Sequence, residues 1–401
     1  MKNLKKNILI QPNRIRVGVV ALFIAACAYS ISSAHADSPK ENTTSSAPCA
    51  NAKFVPHELW LDTDGNHINA HGGGILYHEG TYYWFGEYKI PGKIEINRAG
   101  FDVTKAPSGG VSCYSSTDLM NWKNEGVVMP VDYEDPASDI AYGCVLERPK
   151  VIYNELTDKF VMWFHLELKG QRYSSARTAV AVGDSPTGPF TFIRSLRPHA
   201  GIWPSNKDAF EKNPRADRAL KRDFENGQMA RDMTLYVDDD GKAYHIASSE
   251  ENMTLHISEL SPDFLSFTDR YVRALPGGKN EAPAICKHDG RYWLLASGLT
   301  GWDPNPARSA VADTILGPWK PLGNPAVGVN PSNNLGPEKT FGAQSTFIVP
   351  VQGKPGAFIA MFDIWRPKNP IDGRYIWLPI QFEENSYKIE WMDEWDLSFF
   401  D

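Results

Sequence analysis

The chain has 401 residues, 42% of them hydrophobic and 22% charged, and a formal net charge of −7. This balance suits a globular protein with a large core and argues against a nucleic-acid partner, which would favour a basic face. Aromatic residues make up 12%, with 12 Trp and 16 Tyr; they favour strands and offer flat faces on which sugar rings could stack.

Residues 1–36 read as an export signal. Lys2, Lys5, Lys6, Arg14 and Arg16 precede a short apolar run, Val17 to Ala26, and Ala34-His35-Ala36 offers a small-x-small cleavage site. The run is too short for a membrane span. Ile24-Ala25-Ala26-Cys27 also resembles a lipobox. Two exported forms are therefore expected: a soluble periplasmic or extracellular protein, or one lipid-anchored at the outer membrane through Cys27. Residues 37–54 form an expected flexible tether, rich in Ser, Thr, Asn and Pro, ahead of a single domain over 55–401. Cys49, Cys113, Cys144 and Cys286 show no CxxC pair or zinc-ligand spacing, so no metal or other cofactor is expected. Export permits disulfides, with Cys113 and Cys144 the first pair to test; Cys286 reads as a small core residue.

Within the domain a polar residue recurs nine positions before a turn glycine: His71 before Gly80, Asp232 before Gly241, Glu281 before Gly290 and Gln344 before Gly353. A fifth copy starts at Glu147 and turns two residues later, at Asp158-Lys159. An aromatic or apolar strand follows each turn, such as Tyr82-Tyr83-Trp84-Phe85 or Tyr292-Trp293-Leu294-Leu295. Later turn clusters also match, with Thr187-Gly188-Pro189-Phe190 answering Leu316-Gly317-Pro318-Trp319. Five degenerate repeats predict an all-β fold, a five-bladed β-propeller. A β-sandwich with similar hairpins is the competing fold, but it does not need a polar residue at each strand start. No long segment of helical period appears. Residues 51–68 are expected beside the last blade, closing the ring. The polar insertion Arg197 to Gln228 falls outside the pattern, either as a loop at the channel mouth or as a solvated surface loop.

Inner strands of a propeller line its channel, so five leading side chains should meet: His71, Glu147, Asp232, Glu281 and Gln344. Carboxylates in such a ring suit glycoside hydrolysis, which needs an acid for the leaving oxygen and a means of directing water. Glu281, fixed ahead of Ala282-Pro283, is the candidate acid. A neighbouring ionised Asp232 would raise its pKa by like-charge repulsion. His71 is a candidate base, since an imidazole titrates near neutrality. Asp238-Asp239-Asp240-Gly241 looks like a calcium loop but has Ser249 where the loop needs Glu, so it reads as a hairpin turn.

Taken together, His71-Gly72-Gly73-Gly74, Tyr83-Trp84-Phe85-Gly86-Glu87, Glu147-Arg148-Pro149-Lys150, Arg231-Asp232-Met233-Thr234, Glu281-Ala282-Pro283, Leu299-Thr300-Gly301-Trp302 and Gly342-Ala343-Gln344-Ser345 resemble glycoside hydrolase family 43. The likeness is greatest to its exo-β-1,3-galactanase branch, subfamily 24, and covers roughly residues 55–401. Where the family usually has an Asp base, this chain has Ala70-His71-Gly72, a departure that the galactanase branch shares. The resemblance implies Glu281 as general acid, Asp232 as its pKa modulator and orienter, and Gln344 positioning or activating water. It further implies sugar contacts from Glu87, Glu147, Asn252, Thr300 and Trp302, with Trp302 a stacking platform. The expected activity is exo-hydrolysis of β-1,3-galactan with inversion, on an oligo- or polysaccharide partner. An α-L-arabinofuranosidase and a non-catalytic sugar-binding propeller are the alternatives.

Overall fold

A computed structural model describes residues 51–98, 101–206 and 210–401. The expected export signal, Cys27, Cys49 and the tether up to residue 50 lie outside them. Five sheets follow one another along the chain, each built of four antiparallel strands, and the short strand Ala326–Val327 adds in parallel to the outer edge of the fifth. Their innermost strands are His71–His78, Val145–Asn154, Met233–Val237, Glu281–His288 and Gln344–Pro350. Each inner strand touches those of the flanking blades, and the contacts return from blade five to blade one. The fold is a five-bladed β-propeller. Blade one carries an inserted hairpin, Ile94–Arg98 with Phe101–Lys105, which the repeat did not announce.

Apolar faces of neighbouring blades meet in separate cores. One joins blades one and two around Phe85, Val151 and Phe164, another blades two and three around Trp163 and Leu235, and a third blades three and four around Ile257 and Leu294. The largest unites blade five with blades four and one, through Trp84, Trp122, Trp293 and Trp377. The 54–68 segment completes this junction. Phe54 exchanges two backbone hydrogen bonds with Trp395, of 2.7 and 3.0 Å, and stacks on Trp395 with centroids 4.4 Å apart. Trp60 meets Trp377 edge-on at 4.9 Å.

The run Gly72-Gly73-Gly74 is explained by crowding at the axis. A Cβ on Gly73 would collide with the Phe85 carbonyl, and one on Gly74 with the stem of Lys150. Asp238 to Lys242 is a hairpin turn, with Gly241 N–H donating to the Asp238 carbonyl at 2.9 Å. Cys113 and Cys144 do not form the disulfide considered above: both are unbonded and buried in the core between blades one and two, where they pack as small apolar side chains. Cys286 is likewise buried and free.

Candidate active site

Four inner strands begin with an irregularity. The pairing register shifts just after His71, Glu147 and Glu281, and after Ser345 in blade five. In three of them the next residue is left-handed: Gly72 at φ 61°, Arg148 at 59° and Ala282 at 51°. Such bulges bend the strand and re-aim the side chain beside them. A cavity of about 580 Å³ results, lined by Glu147, Asp232, Glu281 and Gln344. Glu87, Asn252, Thr300 and Trp302 line it too, so all eight residues singled out from the sequence face one space.

His71 does not. It is 1% exposed, outside the cavity lining and stacked on Tyr375 at 5.9 Å. Burial pushes its imidazole down to about 3. The residue considered as a base is therefore sealed under the site as a neutral packing group.

Glu281 accepts a 2.6 Å hydrogen bond from Asn252 Nδ2. Its carboxyl is raised to about 8, and burial is the larger cause, with the Asp232 charge second. The repulsion by Asp232 expected from the sequence is present, and burial adds a larger share. Asp232 Oδ2 accepts from the Ala282 N–H and from Arg148 Nη2, each at 3.0 Å, so it grips the backbone next to Glu281. Gln344 Oε1 accepts from Arg148 at 2.7 Å and Trp365 Nε1 at 2.8 Å, while its Nε2 donates to Ser297 Oγ at 2.9 Å. Both oxygen lone pairs are thus engaged, and these donors fix the orientation of the amide.

Arg148 is one residue to which sequence reasoning gave no role. It is 4% exposed and left-handed. It ties Asp232 to Gln344, donates to the Ser345 carbonyl at 3.2 Å, and lies over Trp365 with its Cζ 5.2 Å from the ring centre. Its N–H reaches Glu87 at 3.2 Å, and Lys89 pairs with the other oxygen of Glu87. Glu87, 1% exposed, therefore supports the cavity floor.

Opposite most leading residues stands a polar partner from the second strand: Glu87 beside His71, His165 beside Glu147, Ser297 beside Glu281 and Asp363 beside Gln344. His165, Ser297 and Asp363 were not anticipated. The usable signal was their spacing, 16 to 19 residues beyond the leading positions. His165 bridges Glu147 at 3.1 Å and the buried Glu167 at 2.9 Å; burial lowers its pKa, but the hydrogen bonds it donates to both carboxylates outweigh this and raise the imidazole to about 9. Tyr173 adds a 2.7 Å bond to Glu147. Ligand atoms of Glu147, His165 and Asp232 lie within 4.8 Å of one another. Each ring nitrogen of His165 faces a carboxylate, so the group is held together as a hydrogen-bonded clamp.

Thr300 Oγ1 is occupied within its loop, donating to the Asp303 carbonyl and accepting from Asn305. Trp302 stands edge-on to Trp365 at 5.9 Å, leaving two indoles at one wall. The insertion is not a plain loop. It contains a helix, Pro214–Arg222, whose Arg215 lines the cavity.

The family model described as Glycosyl hydrolases family 43 matches residues 214–346. A family 43 β-1,3-galactosidase solved with galactodeoxynojirimycin is 52% identical over 86% of this chain and 100% of its own, with a TM-score of 0.76. The chain belongs to glycoside hydrolase family 43. This family 43 glycosidase is also similar to an exo-β-1,3-galactanase from Clostridium thermocellum, 35% identical over 85% of this chain and 66% of that one, TM-score 0.67. The enzyme of the same description from Phanerochaete chrysosporium, a glutamate-to-glutamine variant holding β-1,3-galactotriose, is 30% identical over 86% and 68%, TM-score 0.68. No curated protein sequence gives a significant match. Among the described residues of this family 43 chain, no helix is long and apolar enough to cross a membrane.

Proposed function

We propose that this enzyme removes galactose from the ends of β-1,3-galactan chains by an inverting mechanism. The observation that carries the reading is Glu281, a half-buried carboxyl kept protonated in the cavity beside an ion-paired Asp232 and a fixed Gln344. A protonated carboxyl serves one reaction step above all, donation to a departing glycosidic oxygen. The naming of the similar structures as β-1,3-galactosidases and exo-β-1,3-galactanases supports the substrate.

Glu281 gives its proton to the glycosidic oxygen as the bond to the anomeric carbon breaks. Asp232 holds the Ala282 backbone, and its charge keeps Glu281 a weak acid. Water attacks the anomeric carbon from the opposite face; once the new bond has formed its surplus proton passes to solvent, and Glu281 regains a proton from solvent for the next turnover. Gln344 directs that water through Nε2, because its oxygen is already shared by Arg148 and Trp365. An oxocarbenium-like transition state asks little push of the nucleophile. Glu147, braced by His165 and Tyr173, receives sugar hydroxyls by charge-assisted bonds, and Trp302 offers a stacking face. The N-terminal signal supports an exported enzyme, in soluble form or anchored through Cys27.

Incubation with β-1,3-galactan, with the product followed by proton NMR from the first turnovers, should show α-galactose. Release of arabinose from an aryl arabinofuranoside in its place would move the enzyme to the arabinofuranosidase reading. Glu281→Gln should bind galactan and fail to cleave it; full turnover in that variant would reject the mechanism.

A further inference from the structure

Between the second and third strands of blade three, Ala243–Ser249 and Thr254–Leu260, the chain makes a turn through Glu250, Glu251 and Asn252. All three are left-handed, at φ 55°, 59° and 59°. Non-glycine residues avoid this region, and three in succession store strain that the surroundings must hold. Each side chain is held by a cation. Glu250, fully buried, forms a two-pronged pair with Arg273 at 2.7 Å on both oxygens and accepts from Thr254 and His256. Glu251 pairs with Arg222 at 2.8 Å and Arg231 at 3.6 Å. Asn252 Oδ1 accepts from Arg231 Nη1 at 3.3 Å.

That last contact decides which end of the Asn252 amide meets Glu281. With Oδ1 turned to Arg231, the Nδ2 donor must face the carboxyl, and it reaches Oε1 at 2.6 Å. An oxygen that accepts an N–H at this distance is a poor place for an O–H. We propose that Asn252 is a positioning residue that keeps the proton of Glu281 on Oε2, and that the left-handed turn is built to hold it there. The inference rests on the reading of Glu281 as general acid. Among the groups around the carboxyl, Asp232 favours its neutral form, whereas Arg148, Arg231 and the Asn252 amide favour the anion. Asn252 therefore does two things: it confines the proton to one oxygen, and it keeps the acid from becoming too weak to give the proton up.

The test is a carbon-13 NMR titration of the Glu281 carboxyl, assigned by the signal lost in Glu281→Gln, in the parent, Asn252→Gly and Asn252→Ala. Glycine removes the donor and relieves the left-handed backbone, so the variant should fold at least as well as the parent. Alanine removes the donor while keeping a Cβ. Both should raise the Glu281 pKa, because a hydrogen bond that stabilised the anion is gone. The basic limb of the pH profile should move upward by the same amount. Turnover of β-1,3-galactobiose should fall about tenfold or more, and that of a dinitrophenyl β-galactoside, whose leaving group needs no proton, much less. A purely structural role would change the melting temperature and leave the carboxyl titration where it was. An unchanged or lowered Glu281 pKa in both variants overturns the proposal. The titration needs no substrate: absence of galactan hydrolysis by the parent sinks the functional reading alone, and hydrolysis with an unmoved titration sinks this inference alone.

Discussion

Arg148 donates from Nη2 to Asp232 and Gln344 and from its backbone to Glu87, so a residue of blade two fixes side chains of blades one, three and five. Arg148→Met keeps the bulk of the stem and removes the charge. Leaving the partly buried Asp232 without its partner should cost about 3–5 kcal/mol, read as a lower denaturant midpoint, and loss of alignment should cut turnover about 100-fold. Glu281 sets the pH dependence. A general acid works while protonated, so kcat/KM should hold below its pKa and fall as pH rises through about 8. A profile with no basic limb in that region would remove Glu281 from the acid's role. Of these two residues, only Glu281 could be assigned from the sequence. Arg148 shares its motif with Glu147, but nothing in Glu-Arg-Pro-Lys says that the guanidinium turns inward onto the face of Trp365.

At the scale of single elements, inner strands were the most legible because a polar residue, an apolar run and a turn lie close together in the chain. Helix Pro214–Arg222 was not, because its nine residues carry too little of the 3.6-residue pattern to stand out. Local signals were nonetheless there. Asn213 caps the helix, accepting from the N–H groups of Arg215 and Ala216 at 3.1 Å, and Pro214 opens it. Asp217 then pairs with the buried Arg273 at 2.7 Å, which ties the helix to the network beneath the Glu250–Asn252 turn. Asn213→Ala should lose about 1 kcal/mol, seen as a lower melting temperature. Faster hydrogen exchange in the helix than in the inner strands would show that the loss is local. The proposed Cys113–Cys144 pair failed for a reason that spacing cannot reveal: both side chains were already satisfied as core.

Across the molecule, the fold depends on closing the ring between blades five and one, where Phe54, Trp60, Trp84 and Trp122 gather around Trp377 and Trp395 stacks on Phe54. Trp377, 1% exposed, touches most of this cluster. Trp377→Ala should cost about 3–5 kcal/mol, lowering the melting temperature in one cooperative transition, since the cavity opens where the ring closes. Two separate transitions would instead mean that blades melt independently. The number of blades, their order and the polar residue leading each were written in the chain, because a strand, its turn and its return strand are neighbours in sequence and alternate by local rules. Which leading residues reach the cavity was not. His71 and Glu281 occupy matching places in their repeats, yet one is sealed beneath the floor and the other holds a proton at its surface. That difference arises from bulges, from Arg148 crossing the axis and from the field of groups brought in by other blades. Those are distances between segments far apart in the chain, and they exist only once it has closed on itself.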